Sequence, residues 1–124
     1  MMLAVGEHVL GEMARRYVRL ATGLSGGVGG TQQEMCGALS GGVMVIGGLY
    51  GRNSAEDDDQ PAYDLATRYR ERFLVELGST QCDVLYEQVQ APGGLGSCSF
   101  LVERAARILL ELLATMNQAQ SATV

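Results

Sequence analysis

Cys36, Cys82 and Cys98 carry most of the chemistry this sequence has to offer. A thiolate attacks disulfides and binds soft metals, and helix N-termini favour it by pointing unpaired N–H groups at sulfur. Cys82 stands three residues after Ser79, and Cys98 directly follows Ser97. Both serines are of the type that caps a helix. A thiol pKa below the ordinary value of about 8.5 is therefore expected at Cys82 or Cys98. The alternative is that the cysteines are small buried hydrophobes with a packing role.

Other chemistries are excluded by spacing. There is no C-x-x-C pair, hence no thioredoxin-type motif and no zinc knuckle, and no C-x-x-C-H for covalent haem. His8 is the sole histidine and reads as a helix surface residue rather than a ligand. The loop GGVGG, residues 26–30, could offer N–H groups to an anion, but no G-K-S or G-K-T follows and no strand precedes it. It reads as a tight loop. The acidic run Glu56–Asp59 lacks the further ligands of a calcium loop and reads as a solvated linker.

The elements that must position the thiols are helices. Leu3, Val5, Val9, Leu10, Met13, Tyr17, Leu20 and Ala21 recur mostly at steps of three and four, which predicts a helix over 2–22. No capping residue precedes it, so its first turn is expected to lie upstream of Met1. Thr31 and Glu34 form a T-x-x-E box, which starts a second helix over 31–50 and places Cys36 in its second turn. Asp58 or Asp59 with Pro61 opens a third, ending before Gly78. Ser79 starts a short fourth and Ser97 a last helix over 98–117, with a tail at 117–124 that frays. The expected fold is a single all-α domain over residues 1–124: a bundle of four main helices plus a short one.

The second helix is apolar all round and rich in glycine. Gly37, Gly41, Gly48 and Gly51 lie at spacings that let another backbone come close. One small bundle covers about half of such a helix, which predicts a homodimer with Gly37, Gly41 or Gly48 at the contact.

The stretch GGVGGTQQEMCGALSGGVMVIGGLYGR resembles the core of the small redox-active proteins named for their cysteine pattern, the C_GCAxxG_C_C family. Cys36, Gly37, Ala38 and Gly41 match its C-G-A-x-x-G motif. The segments around Cys82 and Cys98 resemble its later cysteine segments. The family's first cysteine, at the start of helix one, has no counterpart in this sequence. The resemblance implies that Cys36, Cys82 and Cys98 converge on one site. They would cycle between thiol and disulfide with a redox partner, or hold a metal ion or iron–sulfur cluster. The latter needs a fourth ligand, from an upstream cysteine, His8 or a second subunit. The rival reading is a non-catalytic helical dimer serving as an interaction module.

Composition narrows the partners. Hydrophobic residues make up 47% of the chain, enough for a core, and the net charge of −5 comes with arginine as the only strongly basic residue type. An acidic chain without a basic patch argues against nucleic acid. The uncharged run Met35–Tyr50 is shorter than the roughly 20 residues of a membrane span. No signal peptide is visible, and the expected compartment is the cytoplasm, where three cysteines remain thiols.

Overall fold

The computed structural model describes residues 1–122. Its elements are helical: a π-helical turn Met2–Gly6, α1 Glu7–Leu10, α2 Glu12–Ala21, a 3-10 turn Thr22–Leu24, α3 Gly37–Tyr50, α4 Gln60–Leu77, α5 Cys82–Gln90 and α6 Cys98–Ala122. Among the described residues there is no strand, and Met35 and Gln81 form an isolated antiparallel bridge. The all-α expectation holds.

The first expected helix is broken. Gly11 takes φ 61 and ψ −132, outside the helical region, and separates α1 from α2. The kink leaves Leu10 packed against α3 at Gly48, where an added Cβ would stand 2.7 Å from Leu10 Cδ1. The last helix runs to Ala122, past the expected end at residue 117. Of the expected frayed tail, residues 123 and 124 lie outside the described residues.

The second expected helix starts six residues late, at Gly37 rather than Thr31. Thr31 Oγ1 does not meet Glu34. It donates to the carbonyls of Gly27 and Val28, at 2.9 and 2.8 Å, and accepts from the Gln33 amide. The amides of Gln32 and Glu34 donate back into the glycine loop, to Gly26 and Gly27. Those of Cys36 and Cys82 donate across to Thr80 and Glu34, at 2.8 and 2.9 Å. The amides of Gln32, Glu34 and Cys36 are thus taken by the glycine loop and by Thr80, which overrides the local capping signal.

α3 is the central helix. It packs on α4, on α6 and on the N-terminal turn. The core gathers Val5, Val45, Ile46, Leu65, Tyr69, Phe73, Ala105 and Leu109, all essentially inaccessible to solvent. Tyr69 and Phe73 meet edge to face, with ring centroids 6.0 Å apart. On the surface, Arg72 ties α4 to α6 through Glu111 at 2.7 Å and also pairs with Glu76.

The glycines of α3 find their close neighbours within the chain. Gly37 lies on the Ser25 backbone, Gly41 on Met1 and Gly48 on Leu10, while a side chain at Gly42 would fall within the Tyr69 ring. Close approach at these positions therefore requires no second copy. The Tyr69 hydroxyl donates to the Ala38 carbonyl at 2.8 Å and anchors the first turn of α3 to α4. Burial, and behind it the nearby Cys36, pushes the Tyr69 phenol far up. Tyr69→Phe is expected to cost about 1 kcal/mol, the net worth of a typical buried hydrogen bond. Urea unfolding measures it, and an unchanged midpoint would deny the anchor.

Candidate thiol site

Each cysteine stands at the start of a helix. Cys36 is the N-cap of α3, one residue outside it and not in its second turn as expected. Cys82 and Cys98 are the first residues of α5 and α6. Ser97 opens α6 as expected: its Oγ accepts from the Ser99 amide at 3.2 Å and its carbonyl from Phe100. Ser79 sits two residues before the cap. Its Oγ accepts from Gln81, and Gln81 is the N-cap of α5.

The Met35–Gln81 bridge fixes the first two thiols. Cys36 and Cys82 each follow a bridged residue. They are therefore diagonal neighbours on one face of a short ribbon, within reach of each other's side chains. The glycine loop closes over this ribbon. Gly26, Gly27, Val28, Gly29 and Gly30 all have φ between 63 and 71, a left-handed run that only glycine adopts without strain. At Gly27 a Cβ would stand 2.6 Å from Cys82 Cβ and 2.9 Å from Gln32 Cα. The loop amides of Val28, Gly29, Gly30 and Thr31 donate to carbonyls of residues 22–28. The amides of Val28, Gly29 and Gly30 are thus spent on nearby carbonyls, as in a tight loop.

Cys36, Cys82 and Cys98 line one cavity of about 250 Å³, together with Met1, Ala38, Leu85, Tyr86, Leu101 and Val102. Access is graded. Cys36 is buried, Cys82 half-buried and Cys98 exposed. His8 is exposed on α1 and does not line the cavity.

The expectation of a lowered pKa fails at Cys82. Burial first, then Cys98 and Asp83, push this thiol up. Burial also pushes Cys36 up, and the neighbouring thiols Cys82 and Cys98 add to the rise. The amides of Ala38 and Leu39 pull Cys36 the other way, as a helix start should, but desolvation outweighs them. These shifts carry a sign for stability. Folded thiols with raised pKa hold their protons longer than unfolded ones. Their contribution is complete below the ordinary thiol pKa of about 8.5 and is lost as pH rises through the folded values. Unfolding midpoints are therefore expected to fall above pH ~8.5, by less in Cys36→Ala than in the parent. Alkylation of Cys82 at neutral pH should be slower in the folded protein than in urea.

Among the described residues, no three His, Cys, Asp or Glu side chains are grouped so as to hold a metal ion.

The helical scaffold and its cysteine cavity define a thiol protein built around the C-G-A-x-x-G turn. Cys36 caps α3, Gly37 admits the Ser25 backbone, the Ala38 carbonyl receives Tyr69, and Gly41 admits Met1. A family model described as "Putative redox-active protein (C_GCAxxG_C_C)" matches residues 1–112, and the chain belongs to that family. No curated protein and no solved structure gives a significant match. No helix among the described residues is long and apolar enough to cross a membrane.

Sequence reasoning found the cysteines but missed their neighbours. Gly27 had a signal, a glycine run too dense for an ordinary loop. Tyr69, Tyr86 and the pairing of Cys36 with Thr80 and of Cys82 with Glu34 had none, because nothing local distinguishes a site wall from an ordinary helix face.

Proposed function

We propose that the protein reduces a partner disulfide by thiol–disulfide exchange. The observation that supports this is the graded exposure of three thiols around one cavity. Cys98, the exposed thiol, attacks one sulfur of the partner as its thiolate. The partner's S–S bond breaks, its first sulfur leaves as a thiolate, and a mixed disulfide forms on Cys98. Cys82 then attacks the Cys98 sulfur, having lost its proton to water. The second partner thiolate leaves and takes up a proton. The partner gains two electrons and two protons, and Cys82 and Cys98 become a disulfide. Cys36, buried behind them, is a second candidate for the resolving step.

The direction follows from the environment. A dithiol oxidises others when its reduced form is stabilised as a thiolate. Cys82 has no such stabilisation, since burial disfavours its thiolate. Three free thiols suit a reducing compartment, which supports the cytoplasm. A two-fold homodimer rests on the exposed edge of α3, at Val43 and Gly47, and light scattering tests it.

The order of attack is tested by trapping. With Cys82→Ser and Cys36→Ser combined, oxidised mercaptoethanol should leave one stable adduct, on Cys98. An adduct-free protein, under conditions where the unfolded chain reacts, would overturn the reading.

A further inference from the structure

The short ribbon beside the thiols has one open edge. The bonds from the Cys36 amide to Thr80 and from the Cys82 amide to Glu34 flank Met35 and Gln81, which are therefore a non-hydrogen-bonded pair. In such a pair the N–H and C=O of each residue point outward, away from the opposite strand. Gln81 spends both groups: its amide donates to Ser79 Oγ and its carbonyl accepts from the Leu85 amide. Among the described residues Met35 finds a partner for neither. An unpaired donor and acceptor on one exposed, extended residue are what an added strand pairs with.

The side chains beside this edge indicate what that strand belongs to. Met35 and Gln81 project to the face opposite Cys36 and Cys82. There they border a second cavity of about 430 Å³, floored by Leu39, Val43 and Ala66. Met35 and Val43 are left 43% and 38% exposed, more than a large apolar pair facing one groove needs to be. Glu34 and Arg70 border the same cavity, and both are exposed. Among the described residues neither takes part in an ion pair. An occupant of one sign would meet a like charge there. A second copy of this chain brings both signs, and a two-fold axis offers each Glu34 to the partner's Arg70.

We propose that two copies join edge to edge at Met35, each Met35 N–H donating to the C=O of the partner's Met35. The proposal rests on the dimer reading above and supplies its interface, since Leu39, Val43 and Gly47 follow at steps of four along one face of α3. In that antiparallel pair the two methionine side chains lie on the same face, and their flexible thioethers cover the two grooves. The ribbon that holds Cys36 and Cys82 becomes part of a sheet shared by both copies, with those thiols on its other face.

The test uses the full chain, kept reduced so that no disulfide links the copies. Sedimentation at micromolar concentration should show a dimer. Glu34→Arg and Arg70→Glu should each weaken it at least tenfold, because each puts like charges across the axis twice. Mixed one to one, the two variants should pair with each other, since every Arg then faces a Glu. The Met35 amide should exchange its hydrogen slowly in the dimer and faster on dilution. Circular dichroism checks that both variants fold, as their exposed side chains predict. Gly47→Arg is the control, at a position with nothing within 4 Å of an added Cβ. A dimer broken by Gly47→Arg but untouched by the charge variants, with the Met35 amide exchanging freely, would overturn the Met35 bridge and leave the α3 dimer standing. A monomer throughout would overturn both.

Discussion

Gly27→Ala is expected to destabilise the fold by about 3 kcal/mol, from left-handed strain of about 1–2 and overpacking of about 1–3. The position has φ 69, and the added methyl would press on Cys82 Cβ and on the Gln32 backbone. Neither neighbour is the free end of a flexible side chain. The Gln32 amide is bonded to Gly26 and the Cys82 amide to Glu34, so relief in one place disturbs the other. Gly29 supplies the control. It has φ 63 and nothing within 4 Å of its added Cβ, so Gly29→Ala carries strain without contact. Urea unfolding of both variants separates the terms. Gly27→Ala should also speed alkylation of Cys82 as the loop lifts from it. Equal losses in the two variants, with Cys82 reactivity unchanged, would deny that the loop packs on the thiol.

Cys98→Ser should lower the rate of exchange with a neutral disulfide at least a hundredfold at pH 7. A hydroxyl does not replace a thiolate as nucleophile, and the remaining thiols are less exposed and raised in pKa. Cys36→Ser should leave the first attack within a few-fold of the parent, because Cys36 is buried. Stopped-flow release of the partner thiol reads both. A Cys98→Ser protein that exchanges as fast as the parent would move the attacking role to Cys82.

Much of the fold was legible because helices announce themselves locally. The apolar periodicity of α4 and α6, Gly78 after Leu77 and Ser97 before Cys98 each signalled an element that the structure contains. The departures come from non-local partners. A T-x-x-E box is a sound local signal at Thr31, but the Thr80 carbonyl takes the Cys36 amide and the Glu34 carbonyl takes the Cys82 amide. Gly11 broke a helix whose apolar pattern ran through it, since periodicity counts large residues and overlooks what glycine permits. The glycines of α3 were read as contacts with a second copy. Small residues tell that something comes close but not what it is, and here Tyr69, Leu10 and Met1 come close.

The site shows the same division. Helix starts placed two cysteines correctly at the level of sequence. Their pKa directions depend on how deeply neighbours bury them, which no spacing rule encodes. At Cys36 the helix amides act as the rule says, yet burial outweighs them.

One measurement bears on the shared thiol site above all others. The reduced, folded protein is incubated in a graded buffer of reduced and oxidised mercaptoethanol, acid-quenched, digested and mapped for disulfides by mass. A single intramolecular bond joining Cys82 to Cys98 should appear in one two-electron step, fully reversed by excess thiol. Three cysteines that each take up mercaptoethanol independently, with no intramolecular bond at any ratio, would contradict it.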